Sequence, residues 1–427
     1  MNAHQSLRNF FYLISFFIFF ISSCFALDPN VEELVNYETK ANRVAVRSNE
    51  RVDIQHYEIP LELVGKDIAS RMDKNIKDAL IFNKNGVDYV RWVINPEDTL
   101  WHLEVEEFLR SKGLDSTKHT HLKGYMTASR SYIVEDLRTS AQFSIKVSTN
   151  MTGGNWRDKK QPIQDAKDIR VIADYVYNEQ QVKPFEHIIT MDEPGIFSIE
   201  VLDQAMVIRT LDGLVGSKKI YLPGFSAMHT RVGRQIALLN RSQNPEAFWR
   251  EHYNKPLAKA LAELAYRTGL TYDSPHSQNF LIELDQFLRP TGKIVIRDFG
   301  DSYLSKEYFA AKDRTDITEN WTQKNVKSRY LRASVGIMHG NKFPTWLNET
   351  QYENWGKEFF QEYKKEFSRL SGVPEEKLRA PITRKHKYFK SKFKLQGTHW
   401  DNFFDAIKLE TQLRATLPSF SCRNIFN

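Results

Sequence analysis

The residues of this 427-residue chain that are best suited to chemistry lie at 273–301, DSPHSQNFLIELDQFLRPTGKIVIRDFGD. His276, Gln278 and Asn279 come just before one apolar, strand-like run, and Asp298 comes at the end of a second. Polar groups at strand ends can face a ligand while their apolar neighbours hold them in place. We expect His276 or Asn279 to reach a phosphate or a metal, and Asp298 to hold Mg²⁺ against phosphate oxygens. The plainer alternative is a capped turn followed by one surface aspartate.

A second polar group surrounds Lys146, a single cation in the strand-like sequence FSIKVST. A lysine in such a place can pair with a phosphate, although a solvent-facing strand would also accommodate it. The residues around it supply the hydroxyl, guanidinium and backbone donors that an anion cradle needs. In chain order the candidates are Ser129, Arg130, Ser131, Lys146, Thr152 and Arg157. Taken together with residues 273–301, they predict one site.

Strands and one long helix are the elements that must position these residues. Apolar periodicity predicts strands at 87–94, within 125–149, and at 196–201, 205–209, 280–284 and 293–299, and helices at 67–80, 248–268 and from Trp346 onward. This order of elements favours an α+β fold over a doubly wound sheet.

The composition excludes several classes of protein. With 41% hydrophobic and 26% charged residues, the chain is neither wholly disordered nor a multi-span membrane protein. Its two cysteines cannot form a disulfide scaffold or a cysteine-rich metal domain. His119 and His121 lack a third ligand at useful spacing, so we expect no histidine-built metal site. The net charge of +7 favours anionic ligands without requiring nucleic acid.

Residues 1–26 have the layout of a secretory signal, with a basic residue, an apolar run and small residues at its end. The apolar run is short for a transmembrane helix. Cleavage after Ala26 would release an exported, periplasmic or secreted chain that begins at Leu27. The alternatives are a lipidated Cys24 and a retained anchor. In the first two cases Cys422 has no partner for a disulfide.

The order of the polar motifs resembles the aerobactin-synthetase (IucA/IucC-type) siderophore synthetases over about 125–304. That family has a Ser-x-Arg-Thr turn, a strand with Lys-Leu-Ser, a Thr-Ser-Ala-x-x-Arg-like turn, a His-x-Gln-Asn loop and an Arg-Asp-Phe strand. This chain has Ser-Arg-Ser at 129–131, IKVSTN at 145–150, TGGNWR at 152–157, VIRT with Arg209, HSQN at 276–279 and RDF at 297–299.

The resemblance implies an ATP- and Mg²⁺-dependent ligase. Such an enzyme activates a carboxylate, typically of citrate or a related acid, as an acyl-adenylate and passes the acyl group to an amine or a hydroxyl. Small polycarboxylates and amines or alcohols are the implied partners, and the oligomeric state is left open. Carried over, the residues that grip ATP or the carboxylate are Ser129, Arg130, Ser131, Lys146, Thr152, Arg157, His276 and Asn279. Of these, Lys146, Arg157 and His276 are the catalytic candidates, and Asn279 joins Asp298 as a metal ligand.

The resemblance also implies a palm/fingers-type nucleotide-binding core of antiparallel strands and flanking helices. After the signal, the expected regions are 27–118 (a shortened α+β region), 119–215 (fingers-like and anion-binding), 216–345 (palm-like, with the HSQN and RDF motifs) and 346–427 (helical and basic). The last region contains RKHKYFKSKFK at 384–394, which has six cations and no acid. This run is either a solvated face or a lid that brings Lys390 or Lys392 to an anionic substrate. Nucleic-acid binding is not favoured, since no nucleic-acid module precedes it.

Two other classes compete with the ligase. Lys146 in a strand, His276 and Asn279 in a loop, and the DFG sequence at 298–300 also resemble parts of a protein kinase. A kinase needs an aspartate base two residues after that histidine, where Gln278 stands, and no glycine-rich loop precedes Lys146. An atypical kinase-like or nucleotidyl-transferring enzyme that acts on protein stays open. A non-catalytic binding protein with the same fold is the third class.

Overall fold

The computed structural model describes residues 27–40, 50–127, 130–151, 159–211, 213–272, 277–327, 331–335, 344–379 and 389–395. The helices are α1 (Pro29–Lys40), α2 (Lys74–Leu80), α3 (Trp101–Ser111), α4 (Ile163–Val182), α5 (Gly224–Ala227), α6 (Thr230–Leu239), α7 (Pro245–Trp249), α8 (Lys255–Thr268), α9 (Lys306–Ala311), α10 (Thr315–Asn320) and α11 (Glu349–Ser371). The strands are β1 (Val52–Pro60), β2 (Gly65–Ile68), β3 (Ile81–Lys84), β4 (Val87–Val93), β5 (His119–Met126), β6 (Ser131–Asp136), β7 (Ala141–Lys146), β8 (Ile188–Thr190), β9 (Gly195–Ile199), β10 (Gln204–Thr210), β11 (Lys219–Pro223), β12 (Leu270–Tyr272), β13 (Phe280–Asp285), β14 (Pro290–Ile296), β15 (Ser302–Ser305), β16 (Val326–Lys327), β17 (Leu331–Val335), β18 (Leu378–Arg379) and β19 (Phe389–Leu395).

Nine strands form a large antiparallel sheet in the order β2-β9-β10-β7-β6-β5-β1-β4-β3. Phe143, Ile145 and Ile208 of this sheet lie in one hydrophobic core with Leu80 of α2 and Leu109 of α3. Burial of this apolar surface is the main force that fixes the strands.

The opposite face of β6, β7 and β10 carries polar side chains. Ser131 lies opposite Lys146 in the register of β6 and β7, and Ser144 lies opposite Arg209 in that of β7 and β10. Because side chains alternate sides along a strand, Lys146, Ser144 and Arg209 share one face, whereas Ile145 packs in the core. The hydrophobic core on one face of the large sheet thus fixes the strands whose other face carries Lys146 and Arg209.

A second sheet has the order β11-β13-β14-β8. β13 and β14 form an antiparallel hairpin in which Phe280 lies opposite Ile296, and β8 runs parallel to β14. The residues just outside that pair, Asn279 and Arg297, are neighbours, and the backbone N–H of Arg297 donates to the carbonyl of Asn279 over 3.2 Å. The hairpin therefore brings the HSQN and RDF sequences to the same edge of the sheet.

Helix α8 packs against β14 and β8 of the second sheet, and α11 packs against α8. Leu261 and Leu264 of α8 and Trp355 and Tyr363 of α11 are buried in one core with Ile282 of β13. The hairpin that carries the two motifs is thus held by a large apolar core.

Helix α1 lies between the two sheets. Its side chains Val31, Leu34 and Val35 are buried in one core with Ile133 of β6 and Val295 of β14. The helix therefore joins the sheets at the crevice where the polar face of the first meets the hairpin of the second.

The α+β fold is confirmed in its coarse form, because helices accompany a large antiparallel sheet. The expected helix at 67–80 is wrong in its first half. Residues Gly65–Ile68 pair with β9 instead, and α2 begins only where the Asp73 side chain accepts from the backbone N–H groups of Asn75 and Ile76. The helix expected at 248–268 is interrupted by a π-helical turn at Arg250–Asn254.

The region at 346–427, expected to be helical, is helical only in part among the described residues. α11 is present, but β18 and β19 follow it. In β19 basic residues alternate with apolar or small ones, which is the period of a strand and not of a helix. Residues 384–388 of the basic run and the signal at 1–26 lie outside the described residues, and the region limits stay predictions. Among the helices described, none combines the length and the apolar character needed to cross a bilayer.

Candidate functional site

A cleft opens where the polar face of the large sheet meets the open end of the β13–β14 hairpin. The large sheet contributes Ser131, Ser144 and Arg209 to its lining; the hairpin and its flanks contribute Gln278, Asn279, Arg297 and Asp298; α1 contributes Leu34. Because Asn279 and Arg297 are both buried, their positions are set by the fold and not by solvent.

Lys146 and Asp298 form the central contact of this cleft. Nζ of Lys146 lies 2.8 Å from Oδ1 of Asp298, and the two side chains are only 10% and 21% exposed. Burial on its own raises the pKa of Asp298, but the charges of Lys146, Arg209 and Arg130 outweigh burial and hold that pKa well below its ordinary value. Asp298 is therefore ionised at neutral pH. Its backbone is left-handed (φ 65°, ψ 65°), a strained conformation for a residue with a side chain that is often found at functional sites.

Glu193 connects Arg209 to the chain that follows Asp298. It is completely buried, and its Oε1 accepts from Nη2 and Nε of Arg209 over 2.6 Å and 3.2 Å. Its other oxygen, Oε2, accepts from the backbone N–H of Phe299 over 3.2 Å. Burial lowers the pKa of Arg209, but Glu193 and Asp298, whose Oδ1 is 3.8 Å away, more than offset this and raise it. Arg209 thus stays charged.

Each strongly buried cation at the cleft has a carboxylate partner. The pairs are Lys146–Asp298, Arg209–Glu193 and Arg297–Glu38. Removing one member of a buried pair leaves the charge of the other uncompensated. A ligand anion that arrives with a cation avoids this, because the anion can pair with the buried base and the cation with the buried carboxylate. Asp298 and Asn279 offer the oxygen atoms that a hard divalent cation prefers. The cleft is therefore suited to an anionic ligand that brings such a cation.

The structure brings together five of the residues that the sequence singled out. Ser131, Asn279 and Asp298 line the cleft, Lys146 binds Asp298, and the charge of Arg130 acts on Asp298 while its guanidinium donates to the carbonyl of Lys160. The remaining candidates, Ser129, Thr152, Arg157 and His276, lie outside the described residues.

Two acidic residues of the site are missed by the sequence interpretation. Glu193 stands in an Asp-Glu-Pro-Gly sequence between two strands, and an acid at such a turn was the only local signal for it. Glu38 has no local signal, because its partner Arg297 is 259 positions away. Arg209 enters the sequence interpretation only as part of the VIRT motif.

A histidine cluster lies elsewhere, on β1 and β5. The ring of His56 is 5.9 Å from that of His119 and 6.4 Å from that of His121, measured between centroids. The fold thus supplies a third histidine that spacing along the chain does not reveal. Among the described residues, the three histidines do not bring their ring nitrogens close enough together to hold a metal ion. The potential ligand atoms of Glu186, His187 and Glu366 do lie that close. Arg369 pairs with both of those glutamates, so the group is an ion-pair cluster.

Neither a protein-family model nor a curated protein matches the chain. Solved structures do. Petrobactin biosynthesis protein AsbB from Bacillus anthracis str. Sterne is similar with a TM-score of 0.52 and 11% identity, covering 89% of this chain and 71% of that one.

Two aerobactin synthetases from Klebsiella pneumoniae are less similar. ATP-bound IucA has a TM-score of 0.48 and 12% identity over 75% of this chain, and IucC has 0.47 and 11% over 86%. The match spans 62% of the length of each. At these identities only the fold can be compared, and the comparison of the fold rests on the similarity to AsbB. The fold predicted from the motifs is confirmed at this level: the chain has a siderophore-synthetase-like fold.

Proposed function

We propose that the protein is an ATP- and Mg²⁺-dependent ligase that joins a carboxylate of a citrate-like acid to an amine or a hydroxyl. The observation that carries this proposal is the cleft in which Arg209, Asn279 and Asp298 meet, with Lys146 bound to Asp298. The similarity of the fold to AsbB agrees with it.

The reaction consists of two displacements. A carboxylate oxygen of the acid attacks the α-phosphorus of ATP, the bond between that phosphorus and the pyrophosphate oxygen breaks, and pyrophosphate leaves. An amine or hydroxyl then attacks the acyl carbon and loses its proton, and AMP leaves. Both displacements depend on charge neutralisation and orientation, which fixed cations supply.

Asp298 and Asn279 fit a Mg²⁺ ion because carboxylate and amide oxygens are ligands that this ion accepts. Bound there, the ion would neutralise phosphate oxygens. Asp298 would then share its charge with the metal, and the ammonium group of Lys146 would contact a phosphate or the reacting carboxylate instead. Arg209 keeps its place because Glu193 holds two of its nitrogens.

The remaining roles rest on the motif resemblance. Lys146, Arg157 and His276 are the proposed catalytic residues. Ser129, Arg130, Ser131 and Thr152 complete the proposed grip on ATP or the acid. Export through the signal at 1–26 is a further proposal, and the reaction then needs a compartment that contains ATP.

The test measures pyrophosphate release from MgATP with a panel of polycarboxylates, together with capture of the acyl group by hydroxylamine. We expect at least one acid to give both signals, and Lys146→Ala to remove them. Lys219→Ala is the matched control, since Lys219 is a strand lysine that pairs with Glu283 away from the cleft. If no acid in the panel elicits pyrophosphate, the ligase proposal is wrong.

A kinase-like transferase is the second candidate, and one local observation favours it. Asp298 of the DFG sequence has a left-handed backbone and binds a strand lysine, while Phe299 is buried beneath it in the core. In protein kinases the DFG aspartate holds Mg²⁺, a strand lysine contacts the ATP phosphates, and the packing of the DFG phenylalanine sets the active state. Transfer of the γ-phosphate or of AMP from labelled ATP to protein, lost in Asp298→Ala, would favour this candidate over the ligase.

A further inference from the structure

Glu38 and Arg297 form a buried ion pair between the first helix and the RDF motif. The Nη2 group of Arg297 donates to Oε1 of Glu38. The two side chains are 1% and 9% exposed, so solvent does little to weaken the contact. With Glu38 beside it, Arg297 adds little net positive charge to the cleft. Its part there is therefore geometric more than electrostatic.

Arg297 also binds the turn at 277–279. Its Nε donates to the carbonyl of Gln278 over 3.1 Å, and its backbone N–H donates to the carbonyl of Asn279 over 3.2 Å. One residue thus links the carboxylate of α1 to the turn that presents Asn279 to the cleft. A fork-shaped guanidinium is suited to such a link, because its donors are fixed relative to one another.

Helix α1 is held firmly enough to act as the fixed end of this link. Besides its buried apolar side chains, the carbonyl of Tyr37 accepts from Oγ of Ser226 over 2.7 Å. At its other end Oδ2 of Asp28 accepts from the backbone N–H of Gly216 over 2.8 Å. Glu38 is therefore supplied by an element that is anchored along its length.

We infer that Glu38 is a positioning residue: it acts through Arg297 to hold the turn at 277–279 in the conformation that binds the ligand. The inference rests on the proposed function in one respect: the proposed function supplies the ligand that Asn279 contacts. The rival interpretation makes Glu38 a competitor that occupies Arg297 in place of a ligand oxyanion. The two predict opposite effects when the charge of Glu38 is removed.

Hydrogen exchange followed by mass spectrometry tests the positioning role without any ligand. In full-length Glu38→Gln we expect amides within 277–285 to exchange about tenfold or more faster than in the wild type, because a charge-assisted hydrogen bond is lost. Glu32→Gln, an exposed glutamate on the same helix, is the matched control and should exchange like the wild type. Unchanged exchange in Glu38→Gln would overturn the inference. If Glu38→Gln does not fold, Glu38→Asp is measured in its place, since it keeps the charge on a side chain that is one methylene shorter.

Calorimetry with MgATP and, separately, with citrate then tests whether the turn at 277–279 contributes to ligand binding. It also shows whether the turn binds the phosphates or the carboxylates. We expect Glu38→Gln and Arg297→Gln each to weaken one probe by about tenfold, and the double variant to be no weaker than either single one, since the pair acts as one unit. Tighter binding in Glu38→Gln would overturn the inference in favour of competition. A wild-type protein that binds neither probe would refute the proposed function, while hydrogen exchange would still decide the role of Glu38.

Discussion

Nζ of Lys146 lies 2.8 Å from Oδ1 of Asp298, although the two residues are 152 positions apart and are carried by strands of different sheets. Lys146 ends β7, and Asp298 comes two residues after β14. Arg209 approaches the same carboxylate oxygen to 3.8 Å. The carboxylate of Asp298 thus faces two cations, Lys146 and Arg209. A ligand that changes these contacts would affect residues carried by both sheets.

The first prediction concerns Asp298→Asn. We expect its affinity for MgATP to fall by about tenfold to a hundredfold, the loss typical of a charged contact. Affinity for ATP without metal should stay the same or increase, because Lys146 and Arg209 no longer have Asp298 as an internal partner. Calorimetry with and without Mg²⁺ measures both. Asp316→Asn, at an exposed ion pair with Arg314, is the control. Equal losses with and without Mg²⁺ would contradict a metal-linked role for Asp298.

The second prediction concerns the stability that Glu193 provides. In Glu193→Gln the buried Arg209 loses its charged partner, and we expect the free energy of unfolding to fall by about 3–5 kcal/mol. Urea unfolding at pH 7 measures the change. Glu200→Gln, at a side chain that is 66% exposed, should change stability by less than about 0.5 kcal/mol. Adding Arg209→Met to Glu193→Gln should recover part of the loss, because no buried charge is then left unpaired. A larger loss in the double variant would show that the pair is not the cause.

Local patterns predicted the parts of the site that depend on strand period. Alternation over 125–149 indicated the strands that carry Ser131 and Lys146. The two apolar runs after HSQN and before RDF indicated the hairpin that brings Asn279 and Asp298 to one edge. In each case the information lies within about ten residues, over which a strand exposes one face and buries the other.

Contacts between distant elements could not be predicted in this way. Glu38 is an ordinary acid on a short helix until the fold places it against Arg297, and nothing near it in the sequence indicates that partner. Glu193 has only one weak local signal, an acid at the turn before β9, and that signal does not indicate Arg209 as its partner. The C-terminal error has a different cause: the helical prediction from Trp346 onward was carried past α11, although cations occupy alternate positions in β19 and the period there is that of a strand.

The third prediction uses two glycines that end helices. Gly269 follows α8 with φ 65°, and an added Cβ would lie 2.4 Å from a ring carbon of Tyr308. Gly113 follows α3 with φ 68°, and an added Cβ there would meet nothing within 4 Å. Both alanine variants should lose about 1–2 kcal/mol for the left-handed backbone. Only Gly269→Ala should lose a further 1–3 kcal/mol, approximately, from overpacking against the ring. Thermal unfolding of the two variants compares them, and equal losses would show that Tyr308 moves aside at no cost.

The fourth prediction is a pH dependence caused by His56, which is completely buried beside Arg91, His119 and His121. Burial, followed by these neighbouring charges, lowers the pKa of His56 from 6.5 to about 3. Between these values the unfolded chain binds a proton that the folded protein does not, so stability falls as the pH decreases below about 6.5.

Replacing His56 by leucine removes this titration and leaves the other acid-sensitive groups in place. From pH 7 to pH 4.5 the wild type should lose roughly 2–3 kcal/mol more stability than His56→Leu, since one pKa unit corresponds to about 1.4 kcal/mol. Urea unfolding of both proteins at several pH values measures the difference. Because carboxylates titrate in the two proteins alike, parallel stability curves would mean that His56 accepts a proton in the folded state, and that its surroundings are more polar than the buried position between β4 and β5 indicates.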